Sequence, residues 1–481
     1  MSNFIGREQE LESLENLIKR KKTTVAVIKG RRRIGKSRLV EEFAKNKIFF
    51  NFSGLPPVDL DSKDQKRNFA YQLSRQVGLP PFTFEDWSDA FHHLTHHITN
   101  SPTVILFDEI SWIGDKDPTF VPKLKNWFDL ELQDKENLVI IFCGSVSMWI
   151  EDNIINSTAF FGRVALTIDL EPFSIAESCK FLKNQGFKGS NYEILQILSV
   201  TGGVPWYLEQ ISNDKMTDEN IKELCFQKGG LLTLEYDKIF NDLFGPSGTT
   251  YKKILHALSD GVKNLAEIRE AINYPNSGTV SQMMKNLIIS GFVTQHYQWS
   301  IKKKSLTKQS LYRLSDCYIR FYIKYIEKNL TKIEQNTYKD VELSSLPNWQ
   351  GIMGFQLESL LLQNHLALLK AIGIAPESVA MDNPYIQKHN SKQKGCQIDY
   401  LVQTQTQNLF VCEFKFNTRE LGLEVVEQIK EKINRLKIPR GFGVVPVLFH
   451  FGGVTISVYE QNYFYKIIDI NSLLEMDKNF I

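Results

Sequence analysis

No run in this chain approaches the ~18 consecutive apolar residues that a membrane-spanning helix requires. Its opening residues carry no apolar core of a secretory signal. A cytoplasmic protein with no membrane partner is therefore expected. Cysteine is sparse, at positions 143, 179, 225, 317, 396 and 412, and no two of these stand in C-x-x-C spacing. That argues against a zinc site or a disulfide frame and for buried thiols in a reducing compartment. Excess charge is missing too: 57 Lys+Arg against 55 Asp+Glu gives +2, so any attraction to nucleic acid must be regional. Internal repeats and low-complexity tracts are absent. What remains is a chain of 481 residues, 42% hydrophobic and 23% charged, enough for several cores and about two to four domains.

The most informative stretch is Gly30-Arg31-Arg32-Arg33-Ile34-Gly35-Lys36-Ser37. It follows an apolar strand pattern (Thr24 to Ile28) and opens a helical one (Ser37 to Ala44). This is the G-x-x-x-x-G-K-[ST] phosphate loop in the setting it requires. Its glycines let backbone N–H groups face a polyphosphate, and the helix N-terminus adds positive potential. Lys36 would reach the β- and γ-phosphates of ATP, and the Ser37 hydroxyl would ligate Mg²⁺.

A partner motif lies downstream. Thr103 to Phe107 is continuously apolar, as in a strand covered on both faces, and Asp108-Glu109 emerge at its end. Asp108 would hold the Mg²⁺ shell, and Glu109 could orient and deprotonate the attacking water. A third apolar run, Leu138 to Cys143, ends in Gly144-Ser145. Ser145 could sense the γ-phosphate or simply cap the next helix; both roles stay open. His92, His93, His96 and His97 form two i,i+4 pairs without an accompanying H-E-x-x-H carboxylate, which reads as a wet helix face.

From Ser174 to about Leu234 the pattern is helical, broken by Gly202-Gly203-Val204-Pro205. Residues 247–300 read as three helices and the start of a hairpin, the order of a winged helix. Over 247–335, 14 Lys+Arg less 6 Asp+Glu leave +8, including Lys302, Lys303 and Lys304 at the hairpin tip. These are candidate DNA-phosphate contacts, although lysines also decorate hairpins of protein-docking modules. Residues 316–350 are helical, with Tyr318, Tyr322 and Tyr325 spaced as core.

The remainder reads as a second α/β region. Helix Phe355 to Lys370 carries Glu358; strands follow around Asp399 and around Glu413-Phe414-Lys415; a helix from Leu421 to Leu436 contains Gln428. Strand alternation puts Glu413 and Lys415 on one face. Asp399 and Glu413 could hold Mg²⁺ while Lys415 positions or activates water.

The phosphate loop with its arginine triplet, the box Phe4-Ile5-Gly6-Arg7-Glu8, Asp108-Glu109 and Gly203-Val204-Pro205 together resemble the archaeal- and bacterial-type P-loop ATPases of the AAA+/STAND group. The resemblance implies that Arg163, in Phe161-Gly162-Arg163, is presented toward the γ-phosphate, and that Pro205 belongs to a nucleotide-sensing lid. Tyr312 to Asp316 is similar to the segment joining these ATPases to a C-terminal PD-(D/E)xK nuclease-like domain, on whose pattern Glu358, Asp399, Glu413, Lys415 and Gln428 fall, with Ile398 in place of the proline. The expected architecture is an α/β P-loop ATPase core (1–172), a helical lid (173–245), a winged helix (246–316), a helical connector (317–349) and a restriction-endonuclease-like α/β domain (350–481). The expected activity is an ATP-hydrolysing switch coupled to DNA contact and Mg²⁺-dependent DNA cleavage. Two other readings stay open: a signalling or chaperone-like ATPase whose tail is an inactive docking module, and an ATP-responsive transcription regulator. Assembly as a homo-oligomer also stays open.

Overall fold

The computed structural model describes residues 4–56, 60–145, 148–275, 277–389, 391 and 394–476. The chain forms two compact units. One runs to Pro172 and includes Ile289–Gly291; the other comprises Phe173–Ile288 and the chain from Phe292 onward.

The first unit is built on a parallel sheet of β1 (Thr24–Gly30), β2 (Ile48–Ser53), β3 (Thr103–Asp108), β4 (Leu138–Ser145) and β5 (Val164–Asp169), in the order β2-β3-β4-β1-β5. β1, β3 and β4 are apolar through their middles and buried along nearly their whole length, because helices cover both sheet faces. Val25, Val27, Ile105 and Phe107 join one core with Phe69, Trp87 and Phe91. Ala26, Ile28, Val104 and Leu106 join the other with Leu14, Leu39 and Phe43. β5 lies at the edge, and its exposure alternates as a half-covered strand should. The histidines divide their work: His92 sits 3.2 Å from Glu131 Oε2, whereas His93 packs on the Phe82 ring.

The second unit begins with helices Ile175–Asn184 and Asn191–Thr201, each opened by a Ser/Glu capping box. Three further helices (Gly248–Ser259, Leu265–Ala271 and Ser277–Ile289) precede an antiparallel hairpin of β6 (Val293–Ser300) and β7 (Ser305–Leu314). The C-terminal part carries a mixed sheet of β8 (Val379–Gln387), β9 (Cys396–Thr404), β10 (Asn408–Lys415), β11 (Gly443–His450) and β12 (Lys466–Asp469). β8, β9 and β10 pair antiparallel, and β10, β11 and β12 parallel. The single helix expected from Phe355 to Lys370 is instead two, Trp349–Gln363 and His365–Ile372. Asn364 breaks it: its Nδ2 donates to the Leu360 carbonyl at 2.7 Å and its Oδ1 accepts from the Ile175 N–H at 3.1 Å. An asparagine side chain that competes for backbone partners in this way disfavours helix continuation.

The stretches read from sequence as lid, winged helix, connector and tail share cores within this second unit. Leu182 and Leu198 pack in one cluster with Tyr400, Val447 and Phe449. Trp299 and Ile301 of the hairpin region pack with Ile398, Leu401, Leu409 and Val411. The hairpin is also tied by hydrogen bonds. Trp299 Nε1 donates to Gln403 Oε1 at 2.7 Å, and Gln403 Nε2 donates to the Ile301 carbonyl at 2.9 Å. Gln298 Nε2 donates to the Pro384 carbonyl at 3.1 Å, while its Oε1 accepts from the Ile386 N–H at 3.0 Å. Tyr318, Tyr322 and Tyr325 are core residues. Among the described residues, no helix is long and apolar enough to cross a membrane.

His296 lies in this hairpin contact, 4% exposed, with Nδ1 3.1 Å from Asn383 Oδ1. Burial, and then the charge of Arg313, push its pKa down from 6.5 to about 4. The unfolded chain therefore takes up the proton first as pH falls. Stability from the neutral imidazole is complete above the unfolded value and is lost progressively between there and the folded one. About 2 kcal/mol is expected to disappear on going from pH 7.5 to pH 5. Urea midpoints at the two pH values should show this loss in the parent and a smaller one in His296→Gln.

Candidate functional site

The C-terminal edge of the parallel sheet gathers the sequence motifs. β1 ends at Gly30, which registers against Ser145 at the end of β4, and β3 delivers Asp108 beside them. A Cβ on Gly30 would lie 2.4 Å from the Leu170 carbonyl oxygen, so only glycine lets the chain pass there. The loop then turns through two left-handed residues, Arg33 (φ 67°) and Gly35 (φ 92°), into helix Lys36–Phe43. Lys36 is buried, and its Nζ donates to the carbonyls of Gly30 (3.1 Å) and Arg31 (3.2 Å), which holds the ammonium inside the curl. Arg31 is buried as well, whereas Arg32, Arg33 and Ser37 are partly exposed and Ile34 packs into the core.

Ser37 Oγ donates to Asp108 Oδ2 at 2.7 Å, which joins the loop to the strand-end carboxylates. Glu109 follows in a left-handed conformation (φ 49°), rare for a residue with a side chain and typical of strained functional positions. Its N–H donates to Asp108 Oδ1 at 3.1 Å. Its carboxylate accepts from the Ser145 N–H (3.0 Å) and the Ser145 hydroxyl (3.1 Å). Ser145 thus directs its side chain at Glu109. Burial, then the nearby Asp108 charge, push the Cys143 thiol far up, so it is inert. A hydroxyl beside a carboxylate, a second carboxylate, a held ammonium and a helix N-terminus are the groups that a magnesium-bound polyphosphate calls for, and they fit one.

Arg163 is engaged elsewhere in the first unit. It forms a two-pronged ion pair with Asp129, Nε at 2.7 Å and Nη2 at 2.9 Å, and Asp129 also meets Lys125 at 2.8 Å. The pair holds Arg163 above, and Asp129 below, their ordinary pKa ranges. Pro205 belongs to the second unit, where it opens the short helix Pro205–Leu208 after left-handed Gly202 and Gly203.

A second charged cluster lies on the mixed sheet. Asp399 on β9 and Glu413 on β10 come together with Lys415, whose Nζ is 3.0 Å from Glu413 Oε1. Asp399 Oδ2 accepts from the Phe414 N–H at 2.9 Å. Burial, and then the adjacent Glu413 charge, push Asp399 up, and the charge of Glu358 reaches it too. Glu358 itself is held by Arg313 of β7, Nη2 to Oε1 at 2.6 Å. Sequence reasoning missed Lys432. Its Nζ lies 2.6 Å from Glu413 Oε2 and 3.8 Å from Asp399 Oδ1. Burial works against its charge, yet Asp399 and Glu413 hold Lys432 above the ordinary lysine range. Gln428, one helical turn earlier, is exposed. Among the described residues, no three His, Cys, Asp or Glu side chains are grouped to hold a metal ion. Two carboxylates with water remain a sufficient protein share for Mg²⁺. At the hairpin tip Lys302 and Lys303 are exposed, while Lys304 Nζ donates to the Gln405 carbonyl at 2.7 Å.

Residues 4–211 match a domain family described as an ATPase domain predominantly from Archaea. An uncharacterized protein of Methanocaldococcus jannaschii is 26% identical over 359 residues, 74% of this chain and 76% of its own length. An uncharacterized ATP-binding protein of the same organism is 41% identical over 44 residues, 9% of this chain and 75% of its own length. Among solved structures, a Walker-type ATPase of Pyrococcus abyssi aligns with a TM-score of 0.48 at 17% identity, over 66% of this chain and 96% of that one. Residues 4–211 are thus an ATPase domain of this predominantly archaeal P-loop family, which implies ATP as the nucleotide.

Proposed function

We propose that the chain is an ATP-hydrolysing switch whose second unit contacts and cleaves DNA. The observation that carries the ATPase reading is the 2.7 Å bond from Ser37 Oγ to Asp108 Oδ2, which ties the phosphate loop to the strand-end carboxylate. Lys36 binds the terminal phosphates, and the backbone N–H groups of residues 31–35 cradle the rest. Ser37 and Asp108 would hold Mg²⁺, which when bound neutralises charge on the phosphate oxygens. Glu109, fixed by Ser145, takes the proton of the attacking water. Arg163 would have to leave Asp129 before it could approach a phosphate.

For the second unit, the pairing of Asp399 and Glu413 with Lys415 supports Mg²⁺-dependent cleavage of DNA. In this reading the two carboxylates hold the metal, Lys415 positions water and Glu358 shapes the site's charge. The three helices and hairpin serve as a winged helix, with Lys302 and Lys303 as phosphate contacts. Part of the +8 charge of 247–335 is used internally, since Arg313 and Arg320 are buried. The hairpin's packing on the mixed sheet favours a second reading, in which it is a strut and the tail a docking module.

One preparation tests both. Calorimetry with Mg·ATP should give saturable binding that Lys36→Ala removes. Plasmid DNA with Mg²⁺ should be cut by the parent and left intact by the Asp399→Ala, Lys415→Ala double variant. Cutting that persists in the double variant rules the tail site out.

A further inference from the structure

We propose that Lys432 is a resident counter-cation that competes with a divalent metal ion for Asp399 and Glu413. The inference rests on the reading of these carboxylates as a metal site. Glu413 is 3% exposed and Asp399 15%, so two carboxyl groups lie side by side with little access to water. Such a pair requires compensating positive charge within contact distance. Among the described residues, Lys415 pairs with Glu413 through Oε1. Lys432 reaches from helix Glu424–Arg435 to the other oxygen of Glu413 and on toward Asp399 Oδ1. Its ammonium thus lies between the two carboxylates, where an ion bridging them would have to sit.

Two cations cannot share that place. A divalent ion of about 2.0–2.1 Å ligand distance would have to displace the Nζ from Glu413 Oε2. The lysine is 29% exposed on a flexible stem and can swing outward without unfolding its helix. Each metal-binding event therefore includes breaking a buried ion pair, and the apparent metal affinity is lowered accordingly. Lys432 is a positioning residue in this scheme, since it touches the ligands and not the reacting atoms.

The experiment uses the full chain carrying Asp108→Asn, which removes the nucleotide site's carboxylate from the metal titration. Mn²⁺ binding is followed by paramagnetic resonance in this parent and with Lys432→Met or Lys432→Arg added. Lys432→Met is expected to bind Mn²⁺ at least about tenfold more tightly, because the ion pair that metal entry must break is gone while Lys415 still neutralises part of the Glu413 charge. Lys432→Arg should stay near the parent, and the gain should vanish when Asp399→Asn and Glu413→Gln are combined with Lys432→Met. Thermal unfolding gives a second readout: Lys432→Met should melt lower than the parent without metal, and Mn²⁺ should raise its midpoint more than the parent's. Unchanged or weaker Mn²⁺ binding by Lys432→Met, or equal tightening by Lys432→Arg, overturns the proposal. So does a Lys432→Met protein that melts low and is not rescued by Mn²⁺. Tight Mn²⁺ binding without DNA cutting upholds this proposal and removes the nuclease reading, so the two fail separately.

Discussion

Glu109→Gln is expected to bind Mg·ATP about as the parent does and to hydrolyse it about 10²–10³-fold more slowly. The reason lies in what the substitution keeps. The amide oxygen of glutamine can still accept from the Ser145 N–H or hydroxyl, which now meet the carboxylate at 3.0 and 3.1 Å. The left-handed backbone at position 109 is equally available to glutamine, and the Asp108–Ser37 contact is untouched. Only the capacity to accept a proton from water is lost. Binding by calorimetry and turnover by phosphate release separate the two effects. Turnover within a factor of two of the parent would remove Glu109 as the base and leave Asp108 or the nucleotide itself to be considered. Ser145→Ala should be milder, because the backbone N–H continues to hold the carboxylate.

Arg313→Met is expected to destabilise the second unit by about 3 kcal/mol, the lower end of what is lost when one member of a buried ion pair is removed. Arg313 is 2% exposed and Glu358 16%, so the abandoned carboxylate recovers only part of its hydration. The guanidinium also lies 4.5 Å from the Phe355 ring centroid, and that of Arg320 lies 4.3 Å from the same centroid. Lysine at 313 should restore little, since a point charge cannot reproduce a planar group that both stacks and donates in a fork. The double variant Arg313→Met, Glu358→Gln should regain part of the loss, because no buried charge is then left alone. Urea unfolding of the parent, the single variants Arg313→Met and Glu358→Gln, and the double variant completes the cycle. Additive losses would mean that the two side chains do not support each other.

The stretch from Thr24 to Ser37 needed no tertiary information. Strand, left-handed turn and helix follow one another within 14 residues, and the chemistry of Lys36 and Ser37 depends on that local order. The same holds for Asp108 and Glu109, because an apolar strand covered on both faces announces where its polar end emerges. Asp399, Glu413 and Lys415 were legible for a similar reason: strand alternation puts the latter two on one face, and they do meet. β8 and β12 were not legible, since β8 is partly exposed along nearly its whole length and β12 has only four residues, too little for a period to register.

By itself, then, the sequence determined which segments can bend around a phosphate and which strands must be covered, since spacing and polarity along the chain encode both. Three matters were left to the tertiary structure. Lys432 and not Gln428 faces the paired carboxylates, Arg313 captures Glu358 from 45 residues away, and the hairpin packs on the mixed sheet through Trp299. Each of these depends on the angle and register at which distant elements meet. Those are set by packing of whole faces, and no local window of the chain contains them.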